Sequence, residues 1–301
     1  MQNTTRKCIP SDRMRILITG ANGQLGTDLS AELQALDIIP LTHSDIEIAD
    51  MNSVKEEFNR YSPHVIINTA AYVRVDDCEA EPDKAYLVNA LGARNVAVAA
   101  QKCGAKLVHI STNYVFGGEN EPRTIPYTEF DTHIPLNTYG RSKLAGENLV
   151  RHLCPRHFIV RSSALFGIAG SSGKGGNFVD TMLRLAREHD ELRVVDDQIF
   201  SPTYTKDLAR RIAQLIYTEY YGIFHITNSG ACSWYGFTEE IMRLAGVEVQ
   251  LIPIASNQYP TPAKRPHFSV LDNYHLRLLG MDDIRPWHEA LKDYMISKGY
   301  I

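Results

Sequence analysis

Tyr139 and Lys143 stand four residues apart in Tyr139-Gly140-Arg141-Ser142-Lys143, a spacing that puts both side chains on one face of a helix. A phenol ordinarily titrates at about pH 10. A neighbouring ammonium stabilises the phenolate, so this pair is suited to hand a proton to a developing alkoxide. Upstream, the apolar run Lys106–Ile110 ends in Ser111-Thr112, and a hydroxyl at the carboxyl end of a strand can hydrogen-bond a substrate carbonyl. Near the N-terminus, Arg15–Thr19 (RILIT) runs straight into Gly20-Ala21-Asn22-Gly23-Gln24-Leu25-Gly26 and then an amphipathic stretch. Strand, glycine turn and helix start make a seat for a pyrophosphate, with free amides and the helix dipole facing the anion. The spacing is G-x-x-G-x-x-G, not the G-x-G-x-x-G of the dinucleotide fingerprint. Each feature alone has a plain structural explanation: a solvated Tyr and Lys, a capping Thr, a packed turn. Their conjunction, in this order, points to a carbonyl reduced at a bound nicotinamide dinucleotide.

Such groups need a scaffold that delivers them to one edge. Arg15–Thr19, Ile38–Leu41, His64–Asn68, Lys106–Ile110 and Phe158–Arg161 read as buried strands. Between them, Gln24–Leu36, Ser53–Tyr61, Ala80–Lys102 and Tyr139–Leu153 read as helices. Strands apolar on both faces, alternating with helices, predict an α/β fold: a doubly wound, Rossmann-type parallel sheet covered on each side. The regularity weakens after about residue 165. The expected organisation is a flexible tail over residues 1–13, a dinucleotide-binding domain over 14–165 to which later segments return, and a smaller, interleaved substrate-binding domain over 166–301.

Composition narrows the class. The 301 residues are 44% hydrophobic and 22% charged, close to the globular average. The formal net charge of −4 argues against a broad nucleic-acid face, which needs a cationic surplus. No apolar run reaches the roughly 20 residues of a membrane span, and the polar start is not a secretory signal. Cys8, Cys78, Cys103, Cys154 and Cys232 are odd in number and scattered, which favours reduced thiols in the cytoplasm over a disulfide frame, and no metal motif is present. The loop Gly170–Gly176 is a poor phosphate loop, because Ile168 takes the place of its first glycine and Gly175 that of its Ser/Thr. The Arg- and His-rich stretch Arg151–Arg161 reads as a solvated helix end, Tyr217–Phe224 as packing aromatics, and Trp287 as a core anchor. At the tip of the second strand Thr42-His43 carries no carboxylate, and Asp45 follows slightly later. That allows NADPH and leaves NADH open.

With these residues in place, the sequence resembles the extended short-chain dehydrogenase/reductases, and among them the dTDP-4-dehydrorhamnose reductases, over residues 14–295. The broad markers are GANGQLG (20–26), the Asp50 region, NTAAYVRVDDCE (68–79), VNALGARNVA (88–97), STNYVFGG (111–118) and PLNTYGRSKLAGE (135–147). GGNFVDTM (175–182), VVDDQIFSPTYTKDLA (194–209), HITNSGACSWYGF (225–237) and PAKRPHFSVLDN (262–273) are the more specific ones. The resemblance implies that Gly20, Gly23, Gln24, Leu25 and Gly26 hold the cofactor pyrophosphate and that Asp50 and Met51 lie by the adenine. Ala71, Tyr72 and Val73 would line the nicotinamide half, with Asn89 nearby. Thr112 would hold the sugar carbonyl, Tyr139 donate the proton, and Lys143 bond the nicotinamide ribose while tuning Tyr139. Thr112 and Asn113 would contact a dTDP-linked 4-keto-6-deoxy sugar, and by analogy the enzyme would be a homodimer without membrane or nucleic-acid partners.

Two positions depart from the family pattern. Asn113 stands where Asp commonly follows the catalytic Thr, and Ala164 where many members carry Trp; both bear on the sugar and leave the reductase core intact. A dehydratase needs Asp-Glu after that Thr, and Asn113-Tyr114 does not supply it. An epimerase on the same scaffold would show no net consumption of NADPH. A non-catalytic regulatory subunit would bind cofactor without turnover.

Overall fold

The runs predicted as strands are so apolar that they can be satisfied only inside a sheet covered on both faces. In the computed structural model, which describes residues 14–170 and 176–301, they are. β1 (Arg15–Thr19), β2 (Asp37–Leu41), β3 (Val65–Asn68), β4 (Lys106–Thr112) and β5 (His157–Ser162) lie parallel, in register from Ile16 opposite Val65 to Val108 opposite Phe158. The tail over 1–13 and the centre of the Gly170–Gly176 loop fall outside the described residues. Because strand side chains alternate, Ile16 and Ile18 enter one core with Leu25, Leu29, Leu208 and Ile212. Leu17 and Ile66 enter the opposite core with Val54, Phe58, Val96 and Val150. Each fully buried side chain of this kind contributes about 1.5–3 kcal/mol. Pro40 sits in β2, the edge strand, where a missing ladder donor costs least.

The helices on the two faces are α1 (Gln24–Glu32), α2 (Met51–Tyr61), α3 (Val75–Ala80), α4 (Pro82–Tyr86), α5 (Ala93–Cys103) and α6 (Thr138–Leu153). The expected single helix over Ala80–Lys102 is broken. Pro82 begins a new helix at its first position, the residue before it is pushed out of helical geometry, and Leu87–Gly92 forms a π-helical turn before α5. Likewise α1 ends four residues before the predicted Leu36.

Beyond residue 165 the chain forms short pairs: β6 (Leu165–Phe166) with β9 (Thr203–Tyr204), β7 (Glu191–Val195) with β12 (Gln250–Ile254), and β8 (Ile199–Phe200) with β11 (Cys232–Ser233). Together with α7 (Phe178–Glu188), α9 (Trp234–Ala245) and α11 (Trp287–Ser297) they enclose a third core around Phe166, Phe237, Trp287 and Tyr294. Two elements of this half go back to the main sheet: α8 (Thr205–Leu215) packs on α1, and β10 (Gly222–His225) becomes a sixth strand beside β5; α10 (Tyr274–Leu278) packs on β10. The sheet order β10-β5-β4-β3-β1-β2 reverses direction between β1 and β3, and ligands of such sheets bind at the carboxyl ends beside that switch.

Arg161 overturns the expectation of a solvated stretch over Arg151–Arg161. It lies on β5 with no exposed surface, its guanidinium bonded to Glu147. Arg156 and His157 are partly buried as well. Among the described residues no helix is long and apolar enough to cross a membrane.

Candidate active site

One cleft of about 1560 Å³ runs along the carboxyl ends of β1, β3, β4 and β5 and continues between the main sheet and the third core. At its first end, β1 gives way to Gly20, whose φ of +68° favours glycine and where a Cβ would fall 2.8 Å from the Thr69 hydroxyl. Gly23 opens α1, and no side chain caps the helix there, so the helix N-terminus is left for a ligand anion. Gly20, Gly23, Gln24 and Leu25 line the cleft, and the buried Gln24 Oε1 has no hydrogen-bond partner. Since an unmade buried bond costs about 1–3 kcal/mol, this orphan acceptor marks a place where a polar ligand fits. Gly26 lies behind the lining, packed on the Gly20 carbonyl.

The far side of the turn is the segment after β3. Ala71, Tyr72 and Val73 all face the cleft. Asn89 does not. It accepts the Tyr72 N–H at 2.8 Å, donates to the Tyr72 carbonyl at 3.1 Å and to Ser142 Oγ at 3.0 Å. It therefore ties this segment to α6, next to Lys143, from the π-helical turn, a distortion often found at functional sites. Asp50 and Met51 also lie off the lining, because Asp50 is the N-cap of α2 and accepts the Asn52 N–H. The residues that reach the cleft here are Thr42, His43, Ile46, Glu47 and Ile48. Asp45 is folded onto Thr42, accepting its N–H at 2.8 Å and its hydroxyl at 2.7 Å.

Thr112, Asn113, Tyr139 and Lys143 meet in the middle. α6 starts at the Asn137 cap, which accepts the Gly140 N–H at 2.8 Å. A Cβ on Gly140 would fall 2.1 Å from the Tyr114 carbonyl, so glycine is what lets Tyr139 approach the end of β4. Thr112 Oγ1 accepts the Tyr114 N–H at 3.1 Å. Burial raises the Tyr139 phenol above its ordinary value, and its hydrogen bond with Thr112 opposes that rise. The helical spacing predicted a phenol lowered by Lys143; instead the Lys143 amine donates to the Ile110 carbonyl at 2.6 Å, and burial brings it down to about 8. The phenol is thus held as a proton donor, and the lysine is poised close to neutrality.

The family described as RmlD substrate binding domain matches residues 14–298. The chain belongs to this family. It is 44% identical over 285 residues to the spore coat polysaccharide biosynthesis protein SpsK of Bacillus subtilis, covering 93% of this chain and 96% of that one. It is 39% identical to a dTDP-4-dehydrorhamnose reductase of Mycobacterium tuberculosis, covering 92% and 91% of the two chains. A crystal structure of dTDP-4-dehydrorhamnose reductase from Bacillus anthracis in complex with NADP superposes with a TM-score of 0.90 at 44% identity, covering 95% and 99%.

The second half of the protein supplies the other wall of the cleft, and most of that wall carries no signal a local motif could reveal. Asn177, Phe178 and Thr181 come from α7 and its cap, Phe200 from β8, Trp234 from α9, and Arg265 and Ser269 from the segment before α10. Each falls in a stretch already distinctive of the family, which was the available clue. Ala164 has a φ of +43° and lines the cleft. The indole that many members carry at that position is missing, yet Trp234 brings one into the cleft, seated 4.0 Å from Phe200 and 4.5 Å from Phe178 between ring centres. Asn113 donates to Ser269 Oγ at 2.8 Å and so joins the end of β4 to the substrate side. Arg265 is gripped by Asp76 and Thr261 on the same rim.

Proposed function

We propose that this protein reduces the C4 ketone of a dTDP-linked 4-dehydro-6-deoxy sugar, foremost dTDP-4-dehydro-L-rhamnose to dTDP-L-rhamnose, with NADPH. The observation that carries the reading is the meeting of Thr112, Tyr139 and Lys143 in a cleft whose other end is an uncapped, glycine-lined helix N-terminus. Gly20, Gly23, Gln24 and Leu25 would hold the pyrophosphate, and Ala71 to Val73 with Lys143 the nicotinamide half. When bound, NADPH supplies the hydride. The protein's own part is to orient the ketone and complete the alcohol. Thr112 donates a hydrogen bond to the ketone oxygen, and Tyr139 transfers its phenolic proton as negative charge builds there. The Lys143 ammonium, on the same helical face, would stabilise the phenolate once the proton has left. Asp45 is occupied by Thr42, and Thr42-His43 at the tip of β2 carries no carboxylate of its own; NADPH is supported above all by the NADP-bound relative.

Trp234, Phe200 and Phe178 would face the nucleotide sugar, whose exact identity is where Asn113 and Ala164 matter. The scattered, odd-numbered cysteines support a reducing, cytoplasmic setting, and a homodimer extends the reading by analogy. The test follows NADPH absorbance as the purified protein meets enzymatically prepared dTDP-4-dehydro-L-rhamnose and a panel of other 4-keto nucleotide sugars. Preferential consumption with the rhamnose precursor is expected. Sugar conversion without net NADPH loss would identify an epimerase, and no turnover with any sugar a regulatory role.

A further inference from the structure

Tyr139, Lys143 and Glu147 follow one another at four-residue intervals along the sheet-facing side of α6. Glu147 is 1% exposed and is held from both sides. Arg161 on β5 grips it bidentately, Nε to Oε1 at 2.9 Å and Nη2 to Oε2 at 2.6 Å. Ser111 on β4 donates to Oε1 at 2.5 Å. The third arm of Arg161 donates to His225 Nε2 on β10 at 3.4 Å, and His225 Nδ1 in turn bonds the Tyr127 carbonyl at 3.0 Å. This is an ion pair wholly inside the sheet-helix core, spanning α6, β4, β5 and β10.

Packing alone does not account for it. Desolvation cancels much of the attraction of a buried pair, and apolar residues of similar volume often hold a core as well or better. Its position is informative. Ser111 immediately precedes Thr112, and Glu147 lies one helical turn beyond Lys143. We infer that Glu147 is a positioning residue for the reaction: locked by Arg161, its carboxylate fixes Ser111, and with it Thr112, and sets a fixed negative group one helical turn from Lys143. The inference rests on the roles of Lys143 and Thr112 proposed above.

The surroundings of Lys143 are consistent with this. Tyr139 and Glu147 are one turn to either side on α6, and His109 on β4 is near enough for the Lys143 charge to act on it. Its ring is buried and held well below its ordinary value, so it is uncharged. Arg161 and His225 stand behind Glu147, while α3 offers Cys78 beside Tyr139 and Glu79 on the Thr138 hydroxyl. The Glu147 carboxylate, one turn away, favours the protonated Lys143 against the effect of burial.

The test reads Lys143 directly. In protein labelled with ¹³C-lysine, the Cε resonance lost in Lys143→Arg reports the amine's titration with no sugar present, and the pH profile of kcat is recorded alongside. For Glu147→Gln the Lys143 midpoint should fall by about one pH unit. The alkaline limb of kcat should move down with it, and kcat should drop more than KM rises. Glu147→Asp should restore the midpoint. If the lone Arg161 prevents Glu147→Gln from folding, Glu147→Met/Arg161→Met removes both charges at similar volume, and a smaller downward shift is expected because Arg161, which stands behind Glu147, leaves with it. A folded variant lacking the carboxylate but keeping the wild-type midpoint and pH profile would overturn the inference. A wild-type protein that never turns over a nucleotide sugar would overturn the proposed function, while the ¹³C titration would still decide the role of Glu147.

Discussion

The two ends of the cleft are built in opposite ways. The proposed cofactor end centres on a glycine turn and an uncapped helix N-terminus, Gly20–Leu25, flanked by Thr42–Ile48 and Thr69–Val73 at the reversal of strand order. The proposed sugar end draws on large side chains, those of Phe178, Phe200, Trp234 and Arg265, from segments far apart in the chain. Between them, α6 and the end of β4 carry the groups proposed to react, Tyr139, Lys143 and Thr112. A backbone site tolerates exchange of side chains but not of its glycines. A side-chain site is retuned residue by residue, which suits one scaffold serving different sugars.

Substitutions should sort by this division. The largest effect belongs to the centre: Tyr139→Phe should lower kcat by about 10³-fold, with NADPH affinity measured by fluorescence titration nearly unchanged. Thr112→Val should follow at about 10²-fold in kcat, since it removes one donor to the developing oxyanion. At the cofactor end, Gly20→Ala forces a left-handed conformation and a contact with Thr69 and Ala70. It should weaken NADPH binding by about 1–3 kcal/mol and lower thermal stability, with the sugar KM little affected at saturating NADPH. At the sugar end, Trp234→Ala should raise the sugar KM about tenfold and leave NADPH affinity alone; a change in NADPH affinity instead would break the division. The smallest effect is one of pH. Lys143 is held at about 8 by burial, so its charge is present below that value and lost above it, and kcat should fall as pH rises through about 8.

The difference between the ends also explains what could be read from sequence. The glycine turn and the Tyr139–Lys143 spacing were legible because their meaning is local: a strand, a turn and one helical face. The sheet was legible from strands apolar on both faces. β10 was not, since Gly222–His225 is four residues long and follows an aromatic cluster that reads as packing. The Pro82 break was visible in the sequence, but the helical period on either side masked it. Asp50 is the right type near the right place, yet it caps α2 and leaves the lining to Glu47 and Ile48. Arg161 and Glu147 could not be paired from sequence, because their contact depends on α6 packing across β5. The same holds for Trp234, whose approach to the cleft depends on how α9 meets β8.

The most direct test of the central claim is the stoichiometry of wild-type protein with NADPH and dTDP-4-dehydro-L-rhamnose, with cofactor followed by absorbance and product by NMR. One NADPH should be consumed for each C4 alcohol formed, and the conversion should all but vanish in Tyr139→Phe that still binds NADPH. Full turnover in that variant, or product formed without NADPH consumption, would contradict the account.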